Sequence, residues 1–584
     1  MERLPLMTAR QLLSVLTAAS MLLLGAAHVA SAEEDDPPVQ PNVIMVVVDD
    51  MSENLLPYLS EVTSLREEGV TFLNYFNATP WCCPSRATLQ SGKYPHNTEV
   101  ESNGYPNGGF ERFMLNDMDT SIGVQMQAAG YRTGLMGKYL NGYEVAGQSR
   151  PDIRPDYPAN YVPPGWDSWF SGFGYRPFRW RMVEDESDDA IMPRTTSAGR
   201  SANDYYTDVL SDRAVEFIRD GSEDPFMLLL TPFAPHSGGN DPEGDQIQFP
   251  AAPRDRADSG SRPASWGKPE FVGGDCGPVT CADVPWPDTS TPGNFNQVQE
   301  EPLQWMSTSP LSPRKLEQGR GYHLQRIQML QSVNDLLGEV RQALAETGHA
   351  DDTYLMFTSD NGFHLGEHAL FNGKTTAYDH DVKTPLVVYP PGGLPAGVTS
   401  SALVQNTDVL PTVLELAGVA TPADVDGVSL LPLMAEPDLA WRDSVLLELV
   451  NDGSDPEARY RNPDLRGIGD HKAPSYNAIR STDFLYIDYS VLNEMPPSNL
   501  NAEFYDLATD PSQMDNIYDT LSSDRRAELN AMLLLQDGCA GAECWMLQGL
   551  VRPDPEPTTE PPTTEPPTTE PPTTEPPTGT EPPP

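Results

Sequence analysis

Residues 82–86 read Cys-Cys-Pro-Ser-Arg and run straight on into Ala87-Thr88-Leu89-Gln90-Ser91-Gly92-Lys93. Pro84 suits the first turn of a helix, so the spacing predicts a helix starting at this pentapeptide, whose free backbone N–H groups attract an anion. Arg86, one turn further on, adds a planar fork for the oxygens of a sulfate or phosphate. Cys82 therefore reads as a nucleophile set against an oxyanion. The competing reading is a buried thiol or half of a disulfide, the commoner fate of cysteine in an exported chain. The six cysteines fall as Cys82-Cys83, Cys276…Cys281 and Cys539…Cys544. The last four allow three pairings, among which the sequence does not choose; two local bridges are the favoured set and leave Cys82-Cys83 over.

Other residues could complete a site. The β-branched run Val43–Val48 ends in Asp49-Asp50, and Tyr354–Thr358 leads into Ser359-Asp360-Asn361-Gly362. Three carboxylates and an amide oxygen from two strand ends make an all-oxygen set, which suits a hard cation such as Ca²⁺ better than zinc. Taken alone, an Asp-Asp pair is more often a cap or a turn. Lys138 and Lys374 lie in Gly-flanked loops, and His236 follows the apolar run Phe226–Thr231. Singly, these would be surface lysines and a structural histidine.

Together the segments resemble the type I sulfatases, members of the alkaline phosphatase superfamily. The resemblance rests on Cys82-Cys83-Pro84-Ser85-Arg86 (C-x-P-S-R), Gly137-Lys138-Tyr139-Leu140-Asn141-Gly142-Tyr143, Pro235-His236, Ser359-Asp360-Asn361-Gly362 and Asn372-Gly373-Lys374. Tyr205–Leu210 and the late Phe504–Pro511 segment add to it, and it covers nearly all of residues 40–520. The form is similar to the branch holding N-acetylglucosamine-6-sulfatases and heparan endosulfatases. It implies that Cys82 is oxidised to Cα-formylglycine by a formylglycine-generating enzyme. It implies also that Asp49, Asp50, Asp360 and Asn361, with residue 82, ligate calcium, and that Arg86, Lys138, His236 and Lys374 act on the sulfate ester. Two departures stand out. Leu140 occupies the place where many sulfatases have histidine two residues after the lysine, and Leu89-Gln90-Ser91-Gly92-Lys93 replaces a common L-T-G-R.

Elements must hold these residues in place. Short apolar runs at Val43–Val48, Phe226–Thr231, Tyr354–Thr358 and Leu386–Tyr389 alternate with helical stretches, the pattern of strands buried on both faces of a parallel sheet. The clearest helix aligns Ile327, Leu330, Val333, Leu337, Val340 and Leu344 before Gly348. The expected fold is α/β, a large mixed, mostly parallel sheet sandwiched by helices and alkaline phosphatase-like, with a smaller C-terminal α+β subdomain. Ligands in such sheets gather at the carboxyl ends of strands, where the candidate residues lie. The reading divides the chain into a leader (1–32), a catalytic domain (33–430) with a Pro/Gly/Asp-rich insertion over the site (237–313), a subdomain (431–552) and a tail (553–584).

The leader has Arg3 and Arg10, an apolar stretch from Leu12 to Ala27 and the triplet Ala30-Ser31-Ala32, a secretory signal cleaved near Ala32. No other segment could span a membrane, so the mature chain is expected outside the cell. The tail repeats Thr-Thr-Glu-Pro-Pro four times over 558–577. It should populate polyproline II and reach roughly 100 Å if extended, as an inert solubilising tail or an attachment to cell wall or glycans. The 37 basic and 85 acidic side chains leave −42 for residues 33–552. That field excludes nucleic acid as a partner and repels sulfated polymers too, so a site for them needs a locally inverted potential. The implied function is a secreted sulfatase acting on a sulfated saccharide, 6-O-sulfated glucosamine in a glycosaminoglycan or related polymer. The alternatives are a phosphonate monoester or phosphodiester hydrolase of the same superfamily and a catalytically silent carbohydrate-binding protein.

Overall fold

The computed structural model describes residues 40–549, apart from 144–160, 174–176, 178–179, 186–193, 198–201, 222–223, 239–248, 257–273, 287–292, 301, 452–472 and 491–500. The expected leader and tail lie outside the described residues. Ten strands form the main sheet: β1 (Asn42–Val48), β2 (Val70–Phe76), β3 (Arg132–Gly137), β4 (Ser168–Phe173), β5 (Arg181–Asp185), β6 (Arg194–Ser197), β7 (Phe226–Thr231), and, after a hairpin of β8 (Asp275–Cys276) and β9 (Val279–Thr280), β10 (Thr353–Ser359), β11 (Leu386–Tyr389) and β12 (Val398–Gln405). Their order is β12-β2-β11-β10-β1-β7-β3-β4-β5-β6. β10, β1, β7, β3 and β4 run parallel side by side, whereas β11 is antiparallel to both of its neighbours.

The period-2 geometry of β1 explains why it is apolar throughout. Ile44, Val46 and Val48 pack with the helix Pro313–Thr347, whereas Val43, Met45 and Val47 pack on the opposite face with the helix Cys82–Ser91. Two helical layers thus bury both faces of the sheet, as the unbroken β-branched run predicts. The long helix begins at Ser312, whose hydroxyl accepts from Lys315 N, with Pro313 in its first turn, and ends at Gly348 in the left-handed conformation (φ 85°). Its stripe of Ile327, Leu330, Val333, Leu337, Val340 and Leu344 is buried against the sheet.

The subdomain is a four-stranded antiparallel sheet, β13 (Ser444–Leu449), β14 (Tyr476–Ser481), β15 (Phe484–Asp488) and β16 (Ala502–Asp506), with the helix Ser523–Asp537 packing Leu529 and Leu533 against it. The two local disulfides are formed, Cys276–Cys281 and Cys539–Cys544, and Cys82 and Cys83 are free thiols. The described parts of 237–313 do not form a loose loop. Cys276, Cys281 and Val284 are buried in the core beside the long helix, and Asn294 and Gln299 reach His368, Tyr378 and Tyr505. Among the described residues no helix is long and apolar enough to cross a membrane.

The main sheet and the subdomain meet at a polar cluster. Tyr378, beside the site, and Tyr505 on β16 both donate to Glu503 Oε2, at 2.9 and 3.0 Å, and Arg480 forks onto Asp379. Burial pushes the Glu503 carboxyl up to about 7, against the opposing hydrogen bonds from Tyr378, Tyr505 and Tyr489. Between the ordinary glutamate value and about 7, the unfolded chain gives up this proton while the folded chain keeps it, so the contribution to stability falls as pH rises. Glu503→Gln has no proton to give up. The stability of Glu503→Gln relative to the parent should therefore rise by on the order of 3 kcal/mol between about pH 4.5 and about pH 7.5, read from urea unfolding at each pH. A constant difference would contradict a neutral buried Glu503.

Candidate active site

The carboxyl ends of β10, β1, β7 and β3 are adjacent, and each delivers part of one pocket. After β1, Asp49 N donates to Ala234 O and Asp50 turns into the left-handed region at φ 65°. A non-glycine residue there is costly and persists only where its surroundings over-determine it. Asp50 N donates to Asp360 Oδ1 (3.1 Å), Arg326 Nη2 donates to Asp50 O, and Met51 N donates to Ser359 Oγ (2.9 Å). After β3, Gly137 takes φ 126°, and a Cβ there would lie 2.2 Å from Thr231 O, so only glycine lets Lys138 N pair with that carbonyl (2.8 Å).

The helix expected at the cysteine pentapeptide spans Cys82–Ser91, with Cys82 in its first turn and all ten residues buried. Ser85 Oγ donates to Asp360 O (2.5 Å), pinning the helix to β10. Arg86 Nε donates to Asp360 Oδ2 (2.8 Å) and Nη1 to Lys138 O (3.0 Å). Its Nη2 is buried and has no hydrogen-bond partner among the described residues, a donor left for a ligand or a water.

Every sequence-singled residue reaches this pocket. Cys82 Sγ lies 3.5 Å from Asp49 Oδ1 and 3.9 Å from Asp50 Oδ1, and Lys374 Nζ lies 2.6 Å from the sulfur. Lys374 Nζ is also 2.5 Å from Asp50 Oδ1 and 3.5 Å from Asn361 Oδ1. Lys138 Nζ donates to Asp49 Oδ2 (2.7 Å), Asn361 Nδ2 to Asp50 Oδ1 (2.6 Å), and His236 Nε2 stands 3.5 Å from Asp50 Oδ2. All of these residues are at most 4 % exposed. Leu140 is buried in the core on the helix Cys82–Ser91 side of the sheet, so that position brings no proton donor to the pocket.

Charge compensation sets the electrostatics. Burial pushes the Asp49 carboxyl up, but Lys138, His236, Arg86 and Lys374 together outweigh it and hold the group well below the usual carboxylate range. At Asp360 burial and the Asp49 charge prevail over the cations, and its carboxyl rises to about 6. The two adjacent cysteines diverge. Cys82 sits among cations, whereas Cys83 packs into the core, where burial pushes its thiol up to about 12. The oxygens of Asp49, Asp50, Asp360 and Asn361 form a buried acidic set fit for a hard divalent cation. A positive charge, the Lys374 ammonium, already lies against two of these oxygens, Asp50 Oδ1 and Asn361 Oδ1. Asp49, Asp50, Cys82 and His236 themselves lie close enough to share an ion.

Sequence reading missed several supports. Arg326 lies four residues before Leu330 and seven before Val333, on the apolar stripe of the long helix. A charge on that face was the available signal. Its guanidinium packs 4.3 Å from the Phe363 ring centroid while holding the Asp50 turn. Ser85, legible only as part of the C-x-P-S-R motif, acts through Asp360, distant in sequence, and Asp381 acts through Thr376 and His364 in an irregular loop whose spacing carries no pattern.

The family model "Sulfatase" matches residues 41–419, and "N-sulphoglucosamine sulphohydrolase, C-terminal" matches 366–535. The chain is 30% identical over 427 residues to the putative extracellular sulfatase Sulf-1 homolog of Caenorhabditis elegans, covering 70% of this chain and 52% of that protein. It is 28% identical over 531 residues to human N-acetylglucosamine-6-sulfatase, covering 86% of each. The chain thus spans about half the length of the first relative and most of the second. Among solved structures, one described as a complex with its substrate D-glucosamine-2-N,6-O-disulfate has a TM-score of 0.59 at 20% identity, with 85% of this chain and 97% of that one covered. The phosphonate monoester hydrolase of Agrobacterium radiobacter has a TM-score of 0.56 at 20% identity, covering 84% and 94%. At these identities the structures speak for the fold.

The Arg86–Asp360 pair is buried on both sides. Arg86→Met should cost about 3–5 kcal/mol of unfolding free energy, because it strands a buried carboxylate. Arg86→Lys keeps the charge and should cost less. Chemical denaturation of both variants checks the order.

Proposed function

The chain belongs to the sulfatase family and is a sulfuric ester hydrolase, and from that premise we propose that it is an exported enzyme that removes 6-O-sulfate from glucosamine in a glycosaminoglycan or related polysaccharide. We place its catalytic domain at 33–430 and its subdomain at 431–552. Export is supported by the Arg3–Ala32 leader and by the extracellular sulfatase relative, and the saccharide by the human relative's name. The observation that carries the reading is the place of the Cys82 sulfur. It sits in the first turn of a buried helix, between two carboxylates and the Lys374 ammonium.

Oxidised to Cα-formylglycine by a maturation enzyme, residue 82 would supply a hydrated aldehyde whose hydroxyl attacks sulfur. A hard divalent cation, calcium in this reading, would be held by Asp49, Asp50, Asp360, Asn361 and residue 82, and would polarise the sulfate. The remaining work falls to the side chains. Arg86, Lys138 and Lys374 neutralise and orient the sulfate oxygens, acting in a buried pocket where such charges are stronger than in water. His236 Nε2 faces Asp50 while its Nδ1 meets Ser237 O (2.6 Å), which fixes the ring and leaves Nε2 able to carry a proton toward the leaving alcohol. Lys374 is the other donor within reach of residue 82.

Protein made with a formylglycine-generating enzyme should release sulfate from 6-O-sulfated glucosamine faster than from 2-O-sulfated saccharides or aryl phosphodiesters, and mass spectrometry of the residue-82 peptide should find the aldehyde in place of the thiol. Only thiol at 82 in protein from the native host would favour a silent binding protein. A preference for phosphorus by orders of magnitude would favour the phosphonate or phosphodiester hydrolase.

Removal of metal with EGTA should abolish turnover, and added Ca²⁺ should restore it. Recovery with Zn²⁺ but not with Ca²⁺ would overturn the hard-cation reading.

A further inference from the structure

Lys374 has no rigid element of its own. It lies in a loop between β10 and the helical turn Asp379–Val382, and its neighbour Thr375 takes φ 92°, a strained backbone for a β-branched residue. Something outside the loop must therefore hold the ammonium among Asp50 and residue 82. Both flanks are tied. On the N-terminal side, His364 and Gly373 exchange backbone hydrogen bonds, His364 N to Gly373 O at 2.8 Å and Gly373 N to His364 O at 3.2 Å. On the C-terminal side, Thr376 donates to Asp381 Oδ2 through both its backbone N (2.9 Å) and its hydroxyl (2.7 Å).

The two ties meet in one buried pair. The imidazole Nδ1 of His364 lies 3.0 and 3.1 Å from the two oxygens of Asp381, and the two side chains are 1% and 0% exposed. Burial pushes the Asp381 carboxyl up, but His364, His380 and the Thr376 hydroxyl prevail and keep it below the usual range, hence ionised. His364 Nδ1 therefore carries the proton in that bond. Asp381 O also accepts from Gly362 N (2.8 Å), the residue following Asn361. Asp381 thus joins both sides of the Lys374 loop through its carboxylate, and the turn that presents Asp360 and Asn361 through its backbone carbonyl.

We propose that the Asp381–His364 pair is a positioning device for Lys374, setting where its ammonium stands relative to Asp50 and residue 82. Neither residue touches the pocket directly in this role. The inference rests on the sulfatase reading for its catalytic consequence but not for its structural one.

Asp381→Asn keeps the shape, removes the charge and cannot both accept from Thr376 and accept from His364. With an activated aryl sulfate, kcat should fall by roughly 10–100-fold, as for other supporting groups of a site, with KM little changed. In a Lys374→Ala background, the same substitution should have almost no further effect, since the residue it positions is gone. Thr376→Val, a milder change, should show a smaller loss that also vanishes in that background. An equal loss with and without Lys374 would mean a merely structural role and would overturn the proposal. Amide hydrogen exchange decides the structural half independently of turnover. Exchange at Gly373 and Thr376 should quicken in Asp381→Asn or Thr376→Val while the long helix stays protected, and unchanged exchange there would refute the clasp even if the parent proved inactive on sulfate esters.

Discussion

The pocket depends on one constraint: three carboxylates at strand ends can be buried together only if positive charge is buried with them. Asp49, Asp50 and Asp360 are each at most 2% exposed, and Arg86, Lys138 and Lys374 reach them from a helix, a strand end and a loop. The architecture follows from supplying those partners. Parallel order brings the ends of β10, β1, β7 and β3 together. The helix Cys82–Ser91 must lie flat against them so that Arg86 meets Asp360, and the left-handed turn at Asp50 is stabilised by an acceptor just after β10, Asp360 Oδ1, and a donor from the long helix, Arg326.

Much of this was legible, for physical reasons that differ by residue. Four strands, β1, β7, β10 and β11, could be read because burial on both faces demands unbroken apolar runs, and the long helix because its stripe and Gly348 each have one plain reading. The helix at Cys82 followed from Pro84. The gathering of Asp49, Asp50, Cys82, Arg86, Lys138, His236, Asp360, Asn361 and Lys374 was inferred from resemblance, not from spacing, since nothing local joins residues so far apart. The supporting roles of Arg326 and Ser85 escaped because their partners, Asp50 and Asp360, are distant in the chain, and that of Asp381 because nothing in its spacing to Thr376 and His364 marks the bonds. The insertion was legible as composition only. Its packing on the long helix and its reach to Tyr378 and Tyr505 depend on contacts that Pro/Gly/Asp content does not encode.

The electrostatics are divided by depth. The body of the protein is strongly acidic, yet the pocket gathers an arginine, two lysines and a histidine around residue 82. Exposed charges are screened beyond about 10 Å at 0.1 M ionic strength, whereas the buried cations are screened far less. An anionic group that reaches the pocket therefore meets an attraction that salt weakens little, while the approach across the surface becomes easier as salt rises.

The helix Cys82–Ser91 buries every one of its residues between the sheet and the elements that cover it. That has a consequence for the life history of the chain. Any catalyst that alters residue 82 must handle this stretch as an extended peptide, before the sheet closes over it. Under the proposed function, biogenesis would then be a race between modification and folding, decided once per molecule. A copy that folds first is sealed with its thiol inside, well packed yet beyond later repair, so the active fraction of a preparation would record the order of two events during synthesis and not the stability of the finished fold.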